Sequence, residues 1–284
     1  MALSSFSLGA KSLRKLRSPL EFILMRGRRK DAGDRRGIES TAVNSSRIMK
    51  KRSLFWDWYA RFYDGLLDTI PYRALVCKVA DCVPVGTAAL LDAGCGTGNL
   101  LGLIREQRPC VALHGIDFSE AMLRRAKAKV PEARFIAGDL NAALPYPDES
   151  FDAVTCINVF YSLREPGRTL AELRRILKPG GKLIISSPLA QPRIRAFIQA
   201  HATEAGWLRT VPVLVRLSVL VLFNALIFRR GYAGEYHFMD VATVQELLAC
   251  EEVQPAYAGQ NWLACVRKQQ TVPTLPEPSK ANTL

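Results

Sequence analysis

Short apolar runs alternate with stretches of helical spacing through the middle of this 284-residue chain. One run leads through Leu90 and Leu91 into Asp92, and a second, Val111–Ile116, ends in Asp117. Arg134–Ala137 is a third run and is followed by Gly138, Asp139 and Leu140. Phe151–Val159 and Lys182–Ser186 are the fourth and fifth. Helical spacing starts behind Gly98, at Ser119–Leu123 and over Leu170–Leu177, where Lys178-Pro179-Gly180-Gly181 breaks it. Strands that alternate with helices predict an α/β fold, a mostly parallel, doubly wound sheet with helices on both faces. Farther on, Val241–Ala249 reads as a helix, and Val253–Tyr257 and Trp262–Val266 read as strands, which makes about seven in all. Thr271–Leu284 holds three prolines and reads as a frayed, disordered end.

The chemistry concentrates where the first strand ends. In Asp92-Ala93-Gly94-Cys95-Gly96-Thr97-Gly98, three alternate positions lack the Cβ that keeps a ligand off the backbone. The helix behind them should aim unpaired N–H groups and its positive dipole end at the same place, which suits a nucleotide-like ligand with a negative group. Asp117 lies 19 residues beyond Gly98, about where a doubly wound fold places an acid to grip ribose hydroxyls. A dinucleotide fits less well. Its fingerprint needs a glycine at the sixth position, which is Asn99 when counted from Gly94.

These segments, with Gly115-Ile116-Asp117, Gly138-Asp139, Phe151-Asp152-Ala153-Val154 and Leu177-Lys178-Pro179-Gly180-Gly181, resemble in order and spacing the motifs of class I S-adenosylmethionine-dependent methyltransferases. The resemblance covers roughly residues 55–187. It implies a Rossmann-like seven-stranded sheet closed by an antiparallel hairpin, and S-adenosyl-L-methionine as cofactor. It places the turn at Gly94, Cys95, Gly96 and Gly98 against the methionine part of the cofactor, with Cys95 chemically silent. Asp92 would support that turn, cap its amides or reach the cofactor's amino group through water. Asp117, with Phe118 beside it, would accept from both ribose hydroxyls, the competing role being a helix N-cap. Asp139 would accept from the adenine amino group with Leu140 on the ring face, the competing role being a surface turn. Asn158 follows the fourth strand, so it and Tyr161 should face the methyl group and the acceptor. No Asn/Asp-Pro-Pro-aromatic motif stands there, which argues against a nucleobase acceptor. The aromatic stretch Phe55–Asp64 is similar to the helix that caps the active site in ubiquinone/menaquinone-type and phospholipid-type methyltransferases. Phe55, Trp58, Tyr59 and Phe62 share one helical face, and Tyr59 and Tyr63 are the candidate acceptor contacts. The three histidines, His114, His201 and His237, read as packing or surface residues, and no base is assigned. No metal-ligand set is present, and seven cysteines in apolar runs suggest reduced, buried thiols.

Val211–Phe228 carries 14 apolar residues in 18, with Arg216 inside and Arg209, Arg229 and Arg230 around it. A buried or lid helix, an interfacial helix and a membrane span are the three readings, the span weakened by length and by Arg216. It lies in an insertion over 188–238, where a substrate domain would wall an apolar pocket. Residues 1–54 form a basic arm. Residues 1–55 carry +10 of the chain's +13 charge, so the domain over 55–270 is near neutral and a nucleic-acid groove is not expected. The arm could touch an anionic membrane surface, act as an organelle transit peptide through residues 1–20, or be a solvated tail. The expected location is cytoplasmic, with peripheral membrane contact. The expected activity is methyl transfer to a small, hydrophobic or lipid-like acceptor. RNA or protein methylation through the arm, or a non-catalytic binding module, are the alternatives. The oligomeric state is open.

Overall fold

The structure is a computed structural model that describes residues 56–189, 193–232, 236–250 and 252–269. The basic arm and the 271–284 tail lie outside them. Seven strands form one sheet in the order β3-β2-β1-β4-β5-β7-β6. They are β1 (Ala89–Ala93), β2 (Ala112–Asp117), β3 (Arg134–Ala137), β4 (Phe151–Ile157), β5 (Leu177–Pro188), β6 (Val253–Ala256) and β7 (Asn261–Arg267). The first five pair in parallel. β7 enters antiparallel between β5 and β6 and closes the sheet with the expected hairpin. Strand order reverses between β1 and β4, and a ligand crevice belongs at the carboxyl ends of strands beside such a switch.

The helices are α1 (56–63), α2 (Ile70–Cys82), α3 (Asn99–Gln107), α4 (Glu120–Lys129), α5 (Pro166–Ile176), α6 (Ile194–Ala205), α7 (Trp207–Tyr232) and α8 (Val241–Leu248). Local chemistry sets several starts. Ser119 caps α4 by accepting from Met122 N–H at 3.2 Å, Asp240 caps α8 by accepting from Thr243 N–H at 2.8 Å, and α5 opens with Pro166 in its first turn. One core cluster packs α1, α2, α3 and α4 with α7 on one side of the sheet; the other packs α5 and α8 around Phe151, Phe160 and Trp262.

The structure departs from the sequence reading in four places. β5 starts at Leu177, directly after α5, because Lys178-Pro179-Gly180-Gly181 bulges out of a strand instead of separating a helix from one; pairing jumps from Phe151↔Leu177 to Ala153↔Lys182. The apolar segment is a helix, as each reading had it, but it runs over 26 residues, past Val211–Phe228 at both ends and through Pro212. On α1 the inward side carries Tyr59 and Ala60, while Trp58 is 55 % exposed and lies beside Phe62 and Phe223. Cys77 and Cys110 are exposed, against the expectation of buried thiols; all seven cysteines are free. His114 packs edge-on against Phe151, and His201 is buried with Nδ1 accepting from Ile70 N–H, so both are packing residues.

Leu173 on α5 is fully buried between the sheet and α8. Leu173→Ala should lower unfolding stability by about 2–5 kcal/mol in urea titration, with cofactor affinity unchanged, because the cavity it leaves is on the far side of the sheet from α1 and α7.

Candidate active site

The Gly94–Gly98 turn hugs the sheet. Gly94 N–H and Cys95 N–H both donate to the Ile116 carbonyl, at 2.7 and 3.1 Å, and Gly98 N–H donates to the Cys95 carbonyl. Gly94 has φ +78°, and a Cβ there would stand 2.2 Å from Val159 Cγ2. Gly98 has φ +77°, and a Cβ there would press on Ala126 of α4 at 3.1 Å. Only glycine meets both demands. Gly96 N–H donates to Asp117 Oδ2 at 2.9 Å, so all four of these amides are committed within the protein, three of them to β2.

Asp117 is 8 % exposed, at the carboxyl end of β2. Its Oδ1 accepts from Ser119 N–H at 2.9 Å. Ser119, not Asp117, is the helix N-cap. Burial pushes the Asp117 carboxyl up to about 6, against the lowering pull of the Ser119, Gly96 and Phe118 amides. Three amides face its four lone pairs, so the group can still accept from a ribose hydroxyl.

A cavity of about 290 Å³ opens at this edge of the sheet. Gly94, Gly96, Asp117, Phe118, Asp139, Leu140 and Asn158 line it, as do Tyr59, Tyr63 and Tyr161. Asp92, Cys95 and Gly98 do not. Asp92 is buried beneath the turn, where Thr155 Oγ1 of β4 donates to it at 2.7 Å; burial pushes its carboxyl up to about 7. Asp139 stands in a turn that borders the cavity, where its Oδ1 accepts from Asn141 N–H and Nδ2 at 3.0 and 2.7 Å. Asn158 ends β4 in the left-handed region at φ 56° and accepts from Asn261 Nδ2 at 2.6 Å.

The apolar segment walls the cavity, as expected of the 188–238 insertion, and two residues that the pattern along the chain did not mark, Gln260 and Asn261, reach it as well. Leu217, Leu220, Val221, Asn224 and Ala225 of α7 form a wall, and Tyr59 OH donates to Asn224 Oδ1 at 3.0 Å. Gln260 and Asn261 reach it from the start of β7, and Gln260 Nε2 and Asn261 Oδ1 are buried polar atoms without a hydrogen-bond partner. Tyr59, Tyr63 and Tyr257 have their phenols pushed well up by burial, so they serve as neutral donors and not as bases.

Residues 91–185 match the family model described as a methyltransferase domain. The chain is 40 % identical over 100 residues to demethylmenaquinone methyltransferase of Thermus thermophilus, covering 34 % of this chain and 45 % of that protein. It is 32 % identical over 171 residues to trans-aconitate 2-methyltransferase of Variovorax paradoxus, covering 58 % and 64 %. Over this stretch the chain is similar to the class I S-adenosylmethionine-dependent methyltransferases. The chain spans about half the length of the first curated relatives it matches. A crystal structure of a Thermotoga maritima protein titled as an S-adenosylmethionine-dependent methyltransferase superposes with a TM-score of 0.51 at 15 % identity, covering 76 % of this chain and 99 % of that one, and shows the shared fold.

The residues present fit this family's cofactor. A Cβ on Gly96 would stand 3.8 Å from Tyr63 and 4.0 Å from Met122, both of which line the cavity, so its absence leaves room along the turn. Asp117 would hold the ribose, and Asp139 with Leu140 the adenine. The cofactor supplies an electrophilic methyl group on a sulfonium. The chain's own contribution is alignment and exclusion of water.

Because the folded Asp117 value lies above the ordinary carboxyl range, protonated Asp117 stabilises the fold, and that contribution is lost as pH rises through about 6. Ribose hydroxyls donate to the ionised form, so cofactor affinity measured by calorimetry should rise from about pH 5 to about pH 7. Asp117→Asn should remove the rise centred near 6 and weaken binding by about 1–3 kcal/mol. An unchanged profile in that variant contradicts the ribose role.

Proposed function

We propose that this methyltransferase moves a methyl group from S-adenosylmethionine to an uncharged, largely apolar small molecule. The supporting observation is the composition of the acceptor side of the cavity. Ile194, Phe197, Leu217, Leu220 and Val221 make its walls, and no Lys, Arg or His stands among the described residues that line it. A carboxylate moved into such a place leaves its charge unpaired, a cost of several kcal/mol. The tricarboxylate trans-aconitate is therefore disfavoured, although one relative bears its name. Demethylmenaquinone, which names several other relatives, has the required character of an uncharged ring and an apolar tail.

The polar end of the pocket fits the same class. Gln260 Nε2 is a donor and Asn261 Oδ1 an acceptor, both buried and unpaired. A neutral hydroxyl can accept from the first and donate to the second. A buried polar atom left unpaired costs about 1–3 kcal/mol, so an acceptor that pairs both gains affinity and a fixed orientation.

Purified protein with labelled S-adenosylmethionine should methylate demethylmenaquinone at a kcat/KM more than about tenfold above that for trans-aconitate, a preference worth roughly 1.4 kcal/mol. Asn261→Ala should raise the KM for the apolar acceptor about tenfold while cofactor affinity holds. Faster methylation of the tricarboxylate contradicts the assignment.

A further inference from the structure

We propose that the outward face of α7 lies in the interfacial layer of an anionic membrane and that the acceptor enters the cavity from that layer. The acceptor route rests on the reading of the substrate given above; the membrane contact does not.

α7 has two apolar faces. Its inner face is fixed to the body along its length: Leu217, Leu220 and Ile227 are 4 %, 1 % and 4 % exposed, and Asn224 holds Tyr59. Its outer face carries Leu208, Val211, Val215, Leu222 and Leu226, exposed by 93, 56, 68, 64 and 41 %. These positions follow one another at helical spacing, and Ser218 is the one polar residue in the stripe. A soluble surface rarely leaves so continuous an apolar strip in water.

Trp207–Ile227 is long and apolar enough to cross a membrane. The inner face decides against a crossing. A span would have to shed the packing of Leu217, Leu220 and Ile227 and the bond to Tyr59. A helix held by one face and apolar on the other lies in the plane of the bilayer.

Charge selects the occupant. The helix has no acidic residue from Trp207 to Tyr232, and Arg209, Arg216 and Arg229 are exposed along it. Arg216 pairs with Asp68 at 3.3 Å across solvent, an exposed contact that leaves it open to other anions. Arginines beside an apolar stripe suit lipid phosphates, with their stems along the acyl boundary. Two copies paired through the stripe would instead set rows of arginine against each other, with no acid on the helix to offset them. The strong positive charge of residues 1–55 favours the same anionic partner.

The face is also continuous with the cavity. Val221 and Ala225 are exposed and line the cavity at the same time. An apolar molecule that sits against α7 in a leaflet therefore meets the pocket wall without crossing water.

The test is flotation of the full-length protein with vesicles of phosphatidylcholine and phosphatidylglycerol, beside vesicles of phosphatidylcholine alone. A double variant, Val215→Glu with Leu222→Glu, changes the stripe and no cavity residue. Wild type should float with the anionic vesicles, and the variant's bound fraction should fall about tenfold, with equal melting temperature and cofactor affinity. Wild-type protein that stays in the soluble fraction overturns the proposal, whether a second copy or residues 1–55 cover the stripe. So does a variant that floats like wild type, or a wild-type dimer that the variant converts to monomer. Flotation is read without any acceptor, so a failed acceptor assignment is told apart from a failed membrane face. With demethylmenaquinone in the vesicles, the variant should turn over more slowly than wild type; equal rates overturn the entry route.

Discussion

A carboxylate taken out of water at the end of β2 holds two separate stretches of backbone in a fixed relation. Asp117 accepts from Gly96 in the glycine turn and from Ser119 at the head of α4. The amides offset much of the cost of its burial, and the resulting geometry passes outward. Ser119 Oγ donates to Asp57 Oδ1 at 2.6 Å, and Ala121 N–H donates to the same oxygen at 3.4 Å, so α1 is fastened to the floor on which the cofactor would rest. A second tie reaches the far end of that helix. Asp64 accepts from Thr97 of the turn at 2.5 Å and pairs with Lys129 at 3.1 Å. Tyr59 and Tyr63 stand over the cavity because both ends of their helix are bound to the turn and to α4.

Much of this was legible along the chain, for a physical reason. The glycine turn, Asp117 and Asp139 each sit where an apolar run stops, and the end of a buried strand is a local signal. Seven strands followed from the same punctuation, and their closing hairpin from the family resemblance. The features that could not be read depend on partners distant in sequence. Nothing near Lys178-Pro179-Gly180-Gly181 says that β5 pairs with Phe151 before bulging. Gln260 and Asn261 look like turn residues until β7 slots in beside β5 and carries them to the cavity.

The two aromatic and apolar helices failed as pattern for a related reason. Periodicity reveals a buried face by contrast with a polar one. On α1 rings surround the helix, so Trp58 was placed on the same face as Tyr59, although Trp58 is exposed and Tyr59 is buried; Tyr59 and Tyr63, the candidate contacts, do line the cavity. On α7 both faces are apolar, so no moment marked which one meets the body, and Pro212 did not end the helix as a proline often does. The turn amides are a different case: the fold consumes the Gly94, Cys95, Gly96 and Gly98 donors internally, which no local pattern discloses.

The bond between Tyr59 and Asn224 joins the first described helix to the longest one directly over the cavity. α1 begins at residue 56, immediately after the segment that holds most of the chain's positive charge. One hydrogen bond thereby ties the helix nearest the charged segment to the apolar wall of the cavity, so the two walls share a single polar fastening whose loss would leave each to settle on its own packing.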